Sequence, residues 1–401
     1  MKLTAGYLTY CTNIHPGENW ADHFNALKLN FPEIKQQLSP NTPMGIGLRL
    51  SNIASIELLQ NDNLIQFKQW LKAQEAYVFT MNGFPYGGFH HTIVKDQVHA
   101  PDWTTDDRVA YTIRLFHILA DLLPEGMEGG ISTSPLSYRN WFNSEPALEM
   151  ARSAATKNIL KIAAELNIVR QKTGVKLHLD IEPEPDGILE TGREFIDWFE
   201  QDLLPQGLSF FEKEYQIPAT ESQQLIKAHI NLCYDVCHFA IGYEPHELII
   251  NELAQKGINV GKIQISAALK AKFDTPGANK HAILATFEKF NESTYLHQVI
   301  ARLSDGELLR YPDLPEALTA TEDALEWRVH FHVPVFLENF GLLQSTQADI
   351  IKVLDIQTQK SFTAHLEVET YTWGVLPDAL KIPLNQSIIR ELEWVKHKLI
   401  N

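Results

Sequence analysis

KLHLDIE (176–182) decides the fold. Leu177, Leu179 and Ile181 occupy one side of this run, and His178, Asp180 and Glu182 the other. A period of two is the mark of a strand whose faces meet unlike surroundings. INLCYD (230–235) repeats it, with Asn231, Cys233 and Asp235 opposite Ile230, Leu232 and Tyr234. KIQIS (262–266) sets Lys262, Gln264 and Ser266 against Ile263 and Ile265, and HLEVET (365–370) sets His365, Glu367 and Glu369 against Leu366 and Val368. WRVHFHVPVF (327–336), with Arg328, His330 and His332 on one side, is a candidate for a further strand.

Working outward, AGYLTYC (5–11), MGIGLRL (44–50), AYVFTMN (76–82) and GGIST (129–133) complete a series of eight strands. Helical stretches separate several of them. In 63–75, Leu64, Phe67 and Leu71 recur at helical spacing; 104–123 opens with threonines and aspartates suited to a cap and first turn. The Ala-rich 145–171 is long, and 387–400 is amphipathic. Strands alternating with helices point to a parallel sheet with crossover helices, and eight strands point to its closure as a (β/α)8 barrel spanning 1–401. A doubly wound open sheet is the alternative, but no GxGxxG or Walker sequence accompanies it. The stretch 270–326 exceeds an ordinary βα loop and reads as an insertion or lid at the barrel mouth, with a hairpin in YLHQVIARLSDGELLRYPDLP (295–315).

The chain has 401 residues, 44% hydrophobic and 21% charged, which excludes wholesale disorder. A net charge of −16 with no basic patch argues against nucleic-acid and anionic-membrane partners. Cys11, Cys233 and Cys237 are too few for a disulfide framework, and Cys233 and Cys237 read as packing residues. Neither a signal-peptide pattern nor an 18-residue apolar run is present, so a cytoplasmic protein without membrane insertion is expected.

In a barrel wrapped by helices the apolar face of each strand meets the helices and the polar face enters the lumen. Unpaired carboxylates there cost several kcal/mol each, roughly, unless a cation compensates. Lys262, Arg49 or Arg328 can supply that compensation in a purely structural network. A divalent metal at the C-terminal strand ends is the other solution. That end selects Glu182, Asp235, Gln264 or Ser266, and Glu367. His238, in the spacing Asp-x-x-His, and His332 are further participants. Mixed oxygen and nitrogen donors suit Mn, Mg or Zn alike. His15, Asn82, His90 and His330 are candidates for the substrate pocket.

DIEPEP, CYDVCHFA and LEVET together resemble the metal-binding layout of xylose-isomerase-like barrels, a superfamily of sugar isomerases, epimerases and endonuclease-IV-type phosphodiesterases. More closely, LTYCTNIHPGENW, GIGLRLS, FTMNGFPYGGFH, STSPLSY, HFHVPVF and HLEVETYTW resemble the EboE family of metabolite traffic proteins over nearly the whole chain. The resemblance implies a barrel that handles a small metabolite precursor for export, with a functional link to a membrane prenyltransferase-like protein. It carries the metal ligands onto Glu182, Asp235, Gln264 and Glu367, with His238 beside the substrate. Gln264 stands where the superfamily usually has His; a neutral amide is a weaker ligand, so either metal affinity and choice differ or His332 substitutes. The phosphodiesterase branch also uses histidines after strands three and seven, where His90, His91, His330 and His332 fall; the fourth strand, ISTSPL, has none.

Three functions follow as expectations. The first is isomerase- or epimerase-like chemistry, with Glu182 and Glu367 exchanging a proton at a substrate carbon and His238 holding a hydroxyl. The second is a non-catalytic metabolite carrier. The third is a metal-dependent phosphoesterase.

Overall fold

The computed structural model describes residues 1–273 and 279–400. Eight apolar runs form the barrel strands: β1 Gly6–Tyr10, β2 Met44–Arg49, β3 Ala76–Asn82, β4 Gly129–Thr133, β5 Leu177–Ile181, β6 Ile230–Asp235, β7 Val260–Ile265 and β8 His365–Val368. They pair in parallel from β2 round to β8, and β8 pairs with β1. The last seam, β1 to β2, is held among the described residues by the bridge Cys11 to Gly47 and by two threonines, Thr12 accepting from the Arg49 amide (2.9 Å) and Thr9 bonding twice. The Thr9 hydroxyl donates to the Gly45 carbonyl (2.9 Å) and accepts from the Gly47 amide (3.1 Å).

Helices cover the outside and fill the connections. Asp106–Leu122 is capped by Thr105, whose side chain accepts from the Arg108 amide, and carries Asp106 and Asp107 in its first turn. Glu145–Thr173 starts at the Ser144 cap and stops at Gly174, whose φ of +76° is a left-handed conformation that suits glycine. The C-terminal helix Leu384–Ile400 packs against Trp20–Leu38 and closes the ring.

The polar strand faces do enter the lumen, and glycines make room for them. A Cβ on Gly47 would lie 1.8 Å from Glu367 Oε1, and one on Gly261 would lie 1.9 Å from Asp180 Oδ1. Large polar side chains from some strands thus lie against bare backbone of others, as filling a narrow barrel requires. In the middle of the lumen Lys262 Nζ sits 2.6 Å from Glu367 Oε2, both side chains fully buried.

Between β7 and β8 the chain builds a second, antiparallel sheet. Its order is Leu308–Tyr311, Val299–Leu303, Ala324–Val333, Ala267–Lys272, Leu343–Ser345, Asn339–Phe340. The strand content therefore runs from Ala267 to Ser345, beyond the 270–326 read from sequence, of which 274–278 lie outside the described residues. WRVHFHV belongs to this sheet, paired with Ala267–Lys272 and Val299–Leu303, and is not a ninth barrel strand. Alternation alone cannot assign a strand to one of two sheets.

Candidate metal centre

The C-terminal ends of β5, β6 and β8 deliver three carboxylates to one point. Glu182 follows directly on β5, Asp235 ends β6, and Glu369 lies one residue beyond β8, its amide still bonded to the Ile265 carbonyl (3.1 Å). One oxygen from each lies within 4.8 Å of the others. Asp235 also caps the short helix Val236–Ile241, Oδ1 accepting from the Cys237 and His238 amides. That turn brings His238 back over the strand ends, which is the structural reason for the Asp-x-x-His spacing.

Glu367 does not reach this point. It pairs with Lys262 one layer deeper, and the mouth position belongs to Glu369, two residues on and on the same face. Glu367 is in hydrogen-bond register with Gln264, and Gln264 with Asp235. Barrel strands are tilted and staggered, however, so residues in register are not level along the axis. By β8 the level has slipped by one alternation.

Gln264 also differs from its expected role. Its amide nitrogen donates to Glu369 Oε2 (2.6 Å) and Glu182 Oε1 (3.4 Å), while its oxygen accepts from the Cys233 thiol (3.1 Å). It ties two carboxylates together instead of offering an oxygen to a metal. The Ser266 hydroxyl is spent on Asp235 Oδ1 (2.5 Å). Asn13 and Asn82 hold Glu369 Oε1 at 2.7 and 2.9 Å.

The inserted sheet adds imidazoles. His332 joins Asp235 and His238 in a group within 4.8 Å, and His330 joins His238 and Glu184 in another. His332 Nδ1 lies 3.1 Å from the Glu369 carbonyl, leaving its buried Nε2 without a partner among the described residues. His238 Nδ1 faces the Pro183 carbonyl (3.0 Å) and His330 Nδ1 faces Gln298 Oε1 (2.8 Å). With both Nδ1 atoms protonated, two lone pairs confront each other across the 3.2 Å between His238 Nε2 and His330 Nε2. Two nitrogens on one tetrahedral zinc stand about 3.4 Å apart.

Charge makes the same point. Among the described residues no lysine or arginine pairs with Glu182, Asp235 or Glu369: Lys262 is taken by Glu367, Arg49 faces Glu18, and Arg328 faces Glu326 and Asp349. Burial, then Glu369 and Asp235, push the Glu182 carboxyl well above the usual range. Burial, then Asp235, raise Glu369 to about 8. Burial lowers His332 to about 4, and burial with His238 takes His330 well below the usual value. Without a cation Glu182 and Glu369 resist ionisation, and among the described residues Glu182 Oε2, Asp235 Oδ2 and His332 Nε2 are buried without a hydrogen-bond partner. These residues fit a divalent metal.

Above them lies a pocket of ≈ 560 Å³, walled by Phe84, Phe89, Val98, Tyr295 and Tyr371 and reached by Asn82, Glu184, His238 and His330. His15 and His90 do not line it. His15 is buried against the Tyr10 hydroxyl (3.1 Å), and His90 clamps its loop between the Asn13 carbonyl (2.5 Å) and the Tyr295 hydroxyl (3.2 Å). His91, at φ +57°, turns that loop. Cys237 has its sulfur near His330 and His332, but burial and Asp235 keep the thiol protonated. Sequence reasoning passed over Glu369, although it continues the alternation of HLEVET. It also passed over Glu184, two residues beyond Glu182 in DIEPEP, and Asn13.

No protein-family model and no curated protein matches the sequence. Among solved structures the chain is similar to a xylose isomerase-like TIM barrel protein from Mycobacterium smegmatis in complex with magnesium. The identity is 10% and the TM-score 0.51, covering 99% of this chain and 98% of that one. Weaker likenesses are to IOLI protein with a binding zinc atom (11% identity, TM-score 0.47, 98% of each chain) and to a xylose isomerase domain protein from Alicyclobacillus acidocaldarius (9%, 0.44, 98% of each). At such identities the likeness concerns the fold. No helix among the described residues is long and apolar enough to cross a membrane. Strand order, closure and the full-length match agree: this chain folds as a (β/α)8 TIM barrel, similar in fold to that xylose isomerase-like structure.

Proposed function

We propose that the protein is a divalent-metal-dependent enzyme of the sugar isomerase or epimerase type, acting on a small polyol or carbonyl metabolite. The observation that carries this is the trio Glu182, Asp235 and Glu369, buried within 4.8 Å of one another, with no lysine or arginine partner among the described residues, and with Glu182 and Glu369 lining the pocket. Glu182, Asp235, Glu369 and His332 would hold the ion, which supplies Lewis acidity to substrate oxygens. Glu182 Oε2, free of protein partners, takes a proton from the carbon next to the carbonyl. Glu369, fixed by three amide donors, faces it and returns a proton. His238 Nε2 orients a substrate hydroxyl, and the aromatic wall of Phe84, Phe89, Tyr295 and Tyr371 keeps water out.

The resemblance to EboE proteins supports a finer reading, in which the substrate is a metabolite precursor processed in the cytoplasm on its way to export. A functional link to a prenyltransferase-like membrane protein belongs to the same reading. A second reading, hydrolysis of a small phosphate ester by several metals, draws support from the overlap of four potential cation groups through Asp235, His238, His330 and His332.

The test is solvent exchange. Manganese-loaded protein in D2O is given a panel of free ketoses and aldoses, and proton NMR follows the signal next to the carbonyl. Loss of that signal with the wild type but not with Glu182→Gln is the expected result. Equal exchange by Glu182→Gln overturns the proton-transfer role, and no metal bound by the wild type overturns the reading as a whole.

A further inference from the structure

The opposite end of the barrel carries donors that the mouth chemistry does not use. His178, early in β5, and His365, first in β8, enter the lumen at its N-terminal end, and Glu128 stands at the rim just before β4. One ligand atom from each lies within 4.8 Å of the others. The two imidazole centroids are 5.2 Å apart. His365 is 1% exposed and, among the described residues, neither ring nitrogen has a well-formed hydrogen bond, the Glu128 main chain approaching the ring only weakly. A buried imidazole with both nitrogens unpartnered is costly, so the position calls for an occupant. His178 is prepared differently. Its Nδ1 lies 2.6 Å from Asp180 Oδ1, the carboxylate–histidine arrangement that orients a metal-binding ring and leaves Nε2 to bind. A cleft of ≈ 1170 Å³, bordered by Tyr7, Glu125, Glu128, Lys176 and His365, gives an ion a way in.

We propose that Glu128, His178 and His365 bind a zinc-type divalent cation at the barrel floor, in a site separate from the mouth. Two imidazoles and one carboxylate are a donor set suited to zinc, with the fourth position open to the cleft. The ion ties together the starts of β4, β5 and β8 and steadies the barrel by mass action, since the unfolded chain offers no such site. Conservation of stability at the floor and chemistry at the mouth is the usual division of labour in this architecture.

Zinc content decides it. Full-length wild type, Glu128→Ala, His365→Gln and Asp235→Asn are equilibrated with zinc, freed of excess by gel filtration and analysed for zinc per chain. Glu128→Ala and His365→Gln should each carry one zinc fewer than the wild type, or bind it at least about tenfold more weakly. Asp235→Asn should keep the floor zinc. The proposal is overturned when both floor variants retain the wild-type zinc content and affinity. Glu128 is exposed, so Glu128→Ala decides alone if His365→Gln does not fold. Failure of the mouth reading looks different: Asp235→Asn then loses no zinc.

Discussion

Replacing Glu367 separates a structural carboxylate from a metal-binding one. Glu367 and Lys262 are fully buried, 2.6 Å apart, and among the described residues Lys262 has one other hydrogen-bond partner, the Met81 carbonyl at 3.3 Å. At an effective dielectric constant of 20 their attraction is about 6 kcal/mol, most of it offset by the loss of hydration. Burial lowers the Lys262 pKa, and Glu367 foremost, with Cys233 and Cys11, more than reverses this, so the ammonium depends chiefly on its carboxylate partner. Breaking one side of such a pair costs about 3–5 kcal/mol. Glu367→Gln keeps a hydrogen-bond acceptor and should fall near the lower end, about 3 kcal/mol, read from urea denaturation at pH 7. Its metal content should equal that of the wild type. Glu369→Gln should do the opposite, losing metal while leaving the metal-free protein's stability close to unchanged, because a carboxyl raised to about 8 is already mostly protonated at pH 7. The double variant Lys262→Met with Glu367→Leu should recover most of the loss. A Glu367→Gln protein that loses metal as Glu369→Gln does, or that unfolds within about 1 kcal/mol of the wild type, would refute the assignment.

Two further outcomes follow. Gly261→Ala forces a methyl to 1.9 Å from Asp180 Oδ1, which cannot retreat from His178; a loss of about 1–3 kcal/mol or more in chemical denaturation is expected, and a neutral substitution would mean the lumen is looser than described. Glu391, buried and accepting from the Thr370 hydroxyl and the Val335 amide, is raised by burial from 4.5 to about 7. The folded state therefore holds the proton longer than the unfolded one, and stability falls as pH rises from about 4.5 through about 7, by roughly 3 kcal/mol from this group. Glu391→Gln should flatten that part of the pH–stability curve, and an unaltered difference between pH 4.5 and 7.5 would count against it.

The barrel was legible because its strands are short, bounded by loops and alternate strictly: AYVFTMN, GGIST and INLCYD coincide with β3, β4 and β6 to the residue. The site was legible where a strand end is also a chain signal, as in Asp235 with His238. It was misread at Glu367, because period-two patterning says which face a residue takes and nothing about its height along a tilted strand. Asn13, Gln298 and Tyr295 left no local signal. They meet the carboxylates or the pocket through loops and a second sheet whose placement depends on the whole fold.

The inserted sheet changes what the barrel can prefer. On their own the ends of β5, β6 and β8 present hard oxygen donors, a palette for magnesium or manganese. Ala324–Val333 leans over them with His330 and His332, and imidazole nitrogens added to such a donor set would shift it toward borderline ions such as zinc. Element selectivity in this molecule would then be adjustable by trimming or exchanging an appendage, with the eight-stranded scaffold left alone.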